Sequence, residues 1–259
     1  MPNLIMPVLF IGHGSPMNII QENAYTKALQ RLRLSLPRPE AILVISAHWL
    51  TRGTFVCSGE KPKQIYDFDG FPDELYKIQY QPPGAQAVAE SLANELGSPA
   101  IRLDPKWGID HASWAVLVHL YPQANIPVLE LSLDVTKTEE EHFEFGKKLS
   151  FLRRKNVLII GSGNIVHNLR RIDFQEDASP YPWAVEFDEF IKEALVKNDT
   201  NRLLHYREFS PAGTLAVPTD DHYLPMLYSA ALREEHEIIE FFHESFQNAS
   251  MSMRCFTIH

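Results

Sequence analysis

Residues 7–18, with the sequence PVLFIGHGSPMN, decide how we interpret the fold of this chain. The apolar run at 8–11 has the composition of a buried β-strand, and it leads directly into Gly12-His13-Gly14. Glycines on both sides of a histidine permit backbone angles and close approaches that other residues resist. Pro16 then stops the strand. The pattern predicts either a histidine that faces a ligand at a strand end, or a plain strand-to-helix turn whose histidine bonds locally.

The same arrangement recurs farther along the chain. Residues 41–46 (AILVIS) form an almost wholly apolar run, typical of a strand buried on both faces, and they lead into His48. A third run at 157–160 (VLII) leads into the glycine-rich segment 161–168, which contains His167. Ligands of open parallel sheets bind outside the carboxyl ends of the strands. The recurrence therefore favours a ligand site at one edge of a sheet.

Helical periodicity separates these strand-like runs. Helices are predicted at 22–36, 85–96, 111–121, 138–155 and 183–197, and another opens within 218–225 and ends near residue 232. Further strands are predicted at 54–58, 126–133 and 250–258, the last as an edge strand. Residues 61–84, which are aromatic, acidic and proline-rich, predict a long surface loop beside a pocket. The alternation predicts one α/β domain over 1–259, with a largely parallel central sheet flanked by helices on both faces.

Composition narrows the classes of function. The 259 residues carry a formal net charge of -9, which argues against nucleic acid as a partner. The only two cysteines, Cys57 and Cys255, lie far apart, so we expect a reducing cytoplasm and no disulfide framework. The apolar stretch near the N-terminus is short and broken by Pro7, which predicts neither a signal peptide nor a membrane span. The sequence leaves the oligomeric state open between a monomer and a small homo-oligomer.

Five of the 11 histidines fall at the ends of predicted elements: His13, His48, His111, His167 and His222. Neutral imidazole is a common ligand of zinc and non-haem iron, so these positions predict a metal site assembled from distant segments. In the plainer interpretation, His13 and His48 are core histidines bonded to carbonyl groups, and His111 and His167 are helix-start and turn residues. The other six are interpreted as structural or solvated: His119, His142, His205, His236, His243 and His259.

Two other chemistries are poorly supported by the motifs. The Gly-Ser-Gly segment at 161–163 lacks the GxGxxG pattern and a following P-loop lysine, which makes a nucleotide site improbable. Neither Ser15 nor Ser162 lies in a GxSxG elbow, so a serine hydrolase is also weakly indicated.

Taken together, five motifs resemble those of the class III extradiol ring-cleaving dioxygenases, and within them the DOPA 4,5-dioxygenase group. The motifs are GHGSPMN at 12–18, SAHW at 46–49, DHASW at 110–114, GSGNIVHNL at 161–169 and DHYLPMLY at 221–228. The resemblance implies a single α/β domain with one non-haem divalent metal ion, Zn²⁺ or Fe²⁺. It places the metal ligands at His13, His48, His167 and His222.

One departure leaves the role of His167 open. In the related protocatechuate-cleaving enzymes two histidines and one glutamate hold Fe²⁺, and the histidine of the glycine-rich segment is an acid–base residue. This sequence has His222 where that glutamate would be expected. His167 is therefore either a fourth ligand or an acid–base residue.

The resemblance further implies a small-molecule catechol and O₂ as substrates, with DOPA-like 4,5-cleavage to a ring-opened semialdehyde. Fe²⁺ is expected in the active form because zinc is redox-silent. His111 and His167 are the candidate catalytic acid and base, and Trp49 and Tyr223 are expected to line an aromatic pocket. The alternatives are a zinc-dependent hydrolase and a non-catalytic binding protein on the same fold.

Overall fold

An eight-stranded sheet runs through the computed structural model, which describes residues 5–175 and 178–259. Residues 1–4 and 176–177 of the predicted domain lie outside the described residues. The strands are β1 (Val8–Gly12), β2 (Ala41–Thr51), β3 (Phe55–Cys57), β4 (Arg102–Asp104), β5 (Val128–Asp134), β6 (Val157–Gly163), β7 (Ile239–His243), β8 (Phe246–Gln247), β9 (Met251–Ser252) and β10 (Cys255–Ile258). The order in the large sheet is β4-β3-β5-β2-β6-β1-β10-β7, and β8 pairs with β9 separately. The four central strands, β5, β2, β6 and β1, run parallel, as predicted.

Helices cover both faces of this sheet because side chains alternate along each strand. They are α1 (Ala24–Leu32), α2 (Gln86–Leu96), α3 (His111–Leu120), α4 (Glu139–Lys147), α5 (Phe151–Arg154), α6 (Pro182–Lys197), α7 (Thr200–Leu204), α8 (Tyr206–Phe209), α9 (Gly213–Ala216) and α10 (Leu224–Ala231). Val8 and Phe10 of β1 pack into the core shared with α2, α4, α6 and α10. Leu9 and Ile11 pack into the opposite core, with α1 and α3. None of the helices described here combines the length and apolar character needed to cross a bilayer.

Three local predictions need correction. The segment 250–258 is not an edge strand, because β10 lies between β1 and β7, and the edge strand β7 was missed. Alternation along a strand reports which face is buried but says nothing about its neighbours, which explains the error. The predicted helix at 138–155 is divided into α4 and α5. The helix predicted at 22–36 is shorter, because α1 ends at Leu32. Asn23 caps α1, with its side-chain oxygen 2.9 Å from the Thr26 amide nitrogen.

The strand register places two histidines at the carboxyl edge of the sheet. Pairing of β1 with β6 ends at Gly12 and Gly163, so His13 follows immediately. Pairing of β2 with β6 ends at Ser46 and Ser162. Since β2 continues to Thr51, His48 lies on the part of β2 that extends beyond the ladder with β6.

Candidate metal centre and active site

Ring nitrogens of His13, His48 and His222 converge at the carboxyl edge of the sheet. One nitrogen from each ring lies within 4.8 Å of the other two. His48 Nε2 and His222 Nε2 are only 3.2 Å apart. His13 and His222 are buried and His48 is mostly buried. Converging imidazole nitrogens of this kind form a potential site for a divalent metal ion.

Carboxylates hold two of the three rings by the nitrogen that faces away from this centre. His48 Nδ1 is 2.7 Å from Asp67 Oδ2, and His222 Nδ1 bonds to Asp221. A carboxylate accepts a proton-bearing Nδ1–H, so the lone pair of each ring is left at Nε2. This is the tautomer that a metal-ligating histidine requires, and a carboxylate partner is the usual means of fixing it.

A hydroxyl group fixes the tautomer of the third ring in the same way. His13 Nδ1 lies 3.1 Å from Ser162 Oγ, and the Ser162 hydroxyl donates to the Ala112 carbonyl oxygen at 2.6 Å. Because that hydroxyl has already placed its proton, its oxygen accepts the proton of His13 Nδ1. His13 Nε2 is therefore free as well. The donor set fits a divalent ion held by three neutral imidazoles.

Burial keeps most of these rings uncharged. Burial lowers the pKa of His13 and His222 well below its usual value, and the neighbouring histidines lower it further. Burial also opposes protonation of His48, but the hydrogen bond to Asp67 leaves its pKa raised. Burial works against ionisation of Asp67, yet hydrogen bonds from His111 and His48 hold its pKa well below the usual range. Asp67 is therefore a carboxylate at neutral pH, the form that accepts from both neighbours.

His111 and His167 lie beside the centre in different ways. The ring of His111, the first residue of α3, stands edge-on to His48 with ring centroids 4.2 Å apart. The ring of His167 stacks flat on His222, at 3.5 Å and 8° between the planes. Within the part of the chain that the structure describes, the converging ring nitrogens do not include one from His167. Burial lowers the pKa of His111, and it lowers that of His167 to about 4.

Two glycines allow the chain to bring His222 against β6. A Cβ atom at Gly163 would collide with the carbonyl oxygen of His222, and one at Gly161 would collide with the backbone of Pro225. The Asn164 amide donates to the His222 carbonyl oxygen at 2.8 Å. The Gly-Ser-Gly segment thus serves close packing of backbone, and its serine holds His13.

The loop at 61–84 contributes directly to this site. Asp67 Oδ1 accepts the backbone N–H of His111 at 2.9 Å, while its other oxygen faces His48. Phe68 stands edge-to-face against the His111 ring, with centroids 5.3 Å apart. The loop contains a short 3-10 turn, Leu75–Lys77, and otherwise has the irregular structure that was predicted.

The two aromatic residues expected to line a pocket lie elsewhere. Tyr223 is fully buried, and its hydroxyl donates to the Leu203 carbonyl oxygen at 2.9 Å. Its ring packs against Tyr206 in the core, so that prediction is wrong. Trp49 is also buried and stacks on Trp107 at 4.8 Å. Neither residue was identified by periodicity, and both were placed only by their nearness in sequence to a histidine.

Sequence reasoning missed three residues that orient the rings: Asp67, Asp221 and Ser162. Asp221 precedes His222 directly, and a carboxylate beside a candidate ligand was an available signal. Ser162 was weighed only as a nucleophile. Asp67 comes from a loop without periodicity, so nothing local marks it.

Similarity to known proteins extends over most of the chain. The family model described as the catalytic LigB subunit of aromatic ring-opening dioxygenase matches residues 7–254. The 4,5-DOPA dioxygenase extradiol of Escherichia coli (strain K12) is 45% identical over 252 residues, which cover 96% of this chain and 93% of that protein. The enzyme of the same name from Mirabilis jalapa is 36% identical over 231 residues, covering 84% of this chain and 83% of that one.

Two further proteins extend the likeness. The 4,5-DOPA dioxygenase extradiol of Beta vulgaris is 34% identical over 254 residues, covering 96% of this chain and 94% of the relative. The crystal structure of an uncharacterized protein from Escherichia coli K12 superposes with a TM-score of 0.86 at 41% identity. That superposition covers 98% of this chain and 100% of the other.

Proposed function

Since the chain belongs to the family of catalytic LigB subunits of aromatic ring-opening dioxygenases, we propose that it opens a DOPA-like catechol ring beside the two hydroxyl groups. Family membership confirms the resemblance seen in the sequence motifs, and the protein is an extradiol ring-opening dioxygenase. Three relatives between 34% and 45% identical are named 4,5-DOPA dioxygenase extradiol, which supports this substrate class. These relatives support neither the zinc hydrolase nor the binding protein.

In this proposal His13, His48 and His222 hold the non-haem metal ion through Nε2. The observation that carries the assignment is that each Nδ1 already has a partner, Ser162, Asp67 or Asp221, while one nitrogen of each ring converges with the others. A redox-active ion such as Fe²⁺, once bound, supplies the electron transfer between catechol and O₂ that Zn²⁺ does not. We therefore propose Fe²⁺ as the ion of the active enzyme.

His167 serves in this proposal as an acid–base residue, not as a fourth ligand. The ring is stacked flat on His222, so its nitrogen lone pairs lie in a plane parallel to that of the His222 ring, and the two planes do not meet at a nearby metal ion. Its lowered pKa keeps the ring neutral at neutral pH, so a proton that it takes up during the reaction is readily released.

His111 is the base that takes a proton from a catechol hydroxyl. Its Nδ1 lies 2.9 Å from Asp67 Oδ1, so the carboxylate stabilises the imidazolium that forms. His167 takes the proton of the second catechol hydroxyl and returns it to the opening ring. The overall reaction inserts both atoms of O₂ and breaks the ring bond next to the diol, so that one end becomes an aldehyde and the other a carboxylate.

Anaerobic reconstitution tests the proposal. Metal-free protein is loaded with Fe²⁺ or Zn²⁺ and exposed to O₂ with L-DOPA, and O₂ uptake is recorded together with the absorbance of a semialdehyde. We expect uptake and colour with Fe²⁺, loss of both in His13→Ala, and wild-type behaviour in His236→Ala, which changes an exposed histidine. Absence of uptake with either ion across simple catechols would overturn the proposed reaction.

A further inference from the structure

Glu130 is a buried carboxyl group that the proposed reaction does not use. It lies in the middle of β5, and none of its surface is exposed. Its neighbours in the strand, Leu129 and Leu131, are equally buried. Burying a carboxylate is costly unless hydrogen bonds satisfy it. The groups that donate hydrogen bonds to Glu130 therefore indicate its role.

Both oxygens of Glu130 accept bonds from one short segment. Oε1 accepts the backbone N–H of Asp110 at 2.7 Å, and Oε2 accepts the indole N–H of Trp107 at 2.7 Å. Residues 107–110 form the entry to α3, whose first residue is His111. Glu130 thus forms hydrogen bonds with the first and the last residue of this entry segment, Trp107 and Asp110.

The same entry segment is tied to β2 on both sides of His48. Asp110 does not cap α3 with its side chain, and instead its Oδ2 accepts the Ser46 hydroxyl at 2.6 Å. Trp107 stacks on Trp49 with the ring planes 4° apart. Ser46 and Trp49 flank His48 in sequence, and Ser46 Oγ also accepts the His48 backbone N–H at 3.1 Å.

We propose that Glu130 is a positioning residue that holds the entry to α3 against β2 and so sets the place of His111 relative to His48. The proposal rests on the base role given to His111 above. Among the described residues Glu130 has no hydrogen bond to either histidine, and it acts through Asp110 and Trp107. Burial raises the pKa of Glu130 to about 7, and the hydrogen bonds from Trp107 and Asp110 oppose that shift by favouring the carboxylate.

Substitution of Glu130 by glutamine should break one of these two hydrogen bonds. A glutamine at 130 has one acceptor oxygen and one NH₂ group, which cannot accept a hydrogen bond. In Glu130→Gln either the Asp110 amide or the Trp107 indole therefore faces an N–H group. Trp107→Phe removes the indole N–H and leaves a ring for the stack on Trp49, so the double variant can turn its amide oxygen to Asp110.

The experiment measures steady-state kinetics of Fe²⁺-loaded enzyme with L-DOPA and O₂. We expect Glu130→Gln to lower kcat by about 10- to 100-fold, the effect typical of residues that orient a working group, with KM and bound metal nearly unchanged. Adding Trp107→Phe to Glu130→Gln should raise kcat to that of Trp107→Phe alone. In a His111→Gln background, Glu130→Gln should cause no further loss of kcat.

A second measurement does not depend on turnover. In Zn²⁺-loaded protein labelled at histidine, the ring signal of His111, assigned by its loss in His111→Gln, should shift in Glu130→Gln. Other histidine signals should move less. If wild-type protein turns over no catechol, the proposed function fails while this spectrum still tests Glu130.

Three outcomes would overturn the inference. One is a Glu130→Gln protein with a lowered Tm but unchanged kcat and an unshifted His111 signal, which would indicate a purely structural residue. Another is an equal further loss of kcat in the His111→Gln background. If Glu130→Gln does not fold, Trp107→Phe takes its place, and a loss of kcat that persists undiminished in His111→Gln would contradict the inference.

Discussion

Ionisable side chains are buried in two regions of this molecule, and the two regions treat them differently. Arg153, on α5, donates to the Met6 carbonyl oxygen at 2.7 Å, to the Leu232 carbonyl oxygen at 2.8 Å and to Glu237. Glu237 also accepts the Glu234 amide at 2.8 Å. At the carboxyl edge of the sheet, by contrast, each of the three converging histidines has one ring nitrogen bonded within the protein and one directed to the common centre.

In the first region the chain itself supplies every partner of the buried charge, whereas the second region leaves ring nitrogens that require a bound cation. Arg153 is a charged donor whose carboxylate and carbonyl partners are all supplied by the chain, as a structural ion pair demands. Burial keeps His13 and His222 neutral, and one ring nitrogen of each of the three histidines lies at a short distance from the others, an arrangement that a cation would stabilise. Changes in the first region should therefore affect folding, and changes in the second should affect metal binding and turnover.

The largest effect is expected for His222→Ala. Loss of one of three ligands should remove bound metal and reduce turnover by more than the roughly 100-fold that loss of an orienting partner costs. The metal-free protein should remain folded, because Asp221, the partner that the ring leaves behind, is partly exposed and can be solvated. Metal content, O₂ uptake and urea unfolding of the metal-free protein check this. A variant that keeps its metal and most of its turnover would refute the ligand assignment.

Glu237→Ala should produce the opposite result. It leaves the Arg153 guanidinium buried without its carboxylate, which is expected to lower the free energy of unfolding by about 3–5 kcal/mol. Turnover per folded, metal-loaded molecule should be unchanged. Urea denaturation measures the loss of stability.

A matched control lies three residues earlier, in the same turn between α10 and β7. Glu234 pairs with Arg154 at 2.7 Å where both side chains are partly exposed. Glu234→Ala should cost no more than about 1 kcal/mol, since solvent screens such pairs. Equal losses in the two variants would show that burial does not distinguish the pairs.

His142 provides a buried histidine outside both regions. Its Nδ1 is 2.9 Å from the Tyr228 hydroxyl oxygen, and burial lowers its pKa to about 4. The unfolded chain binds this proton near pH 6.5 and the folded chain does not, so stability falls as the pH falls from about 6.5 to about 4. The full effect of this group is about 3 kcal/mol. Urea unfolding of wild type and His142→Gln at pH 7.5 and 4.5 should show a smaller acid loss in the variant, and equal losses would contradict the assignment.

The sequence was informative where a residue follows a buried strand. His13 and His48 were identified because apolar runs precede them, and parallel strands end at a common edge. The same runs predicted the central parallel strands. Both inferences use local patterns whose consequences are fixed by sheet geometry.

The sequence was uninformative where a contact depends on the path of the chain. No local pattern shows that β10 has a neighbour on each side, or that α4 and α5 are separate helices. Tyr223 was assigned to a pocket because it follows His222, yet its side chain points into the core. Asp67 meets His48 across 19 residues of sequence, through a loop whose course no periodicity determines.

Asp67→Asn therefore tests the part of the site that only the structure revealed. Asparagine can accept from His48 or from the His111 amide but cannot serve both with oxygen, and it removes the negative charge. The affinity for Zn²⁺, measured by competition with a chelator, should fall about 10- to 100-fold. Turnover should stay below wild type even at saturating metal, because His111 also loses its carboxylate. Asp69→Asn, which changes an exposed carboxylate two residues away, should alter neither quantity. If saturating metal restores full turnover to Asp67→Asn, then Asp67 orients His48 alone, and the base role of His111 must be explained without it.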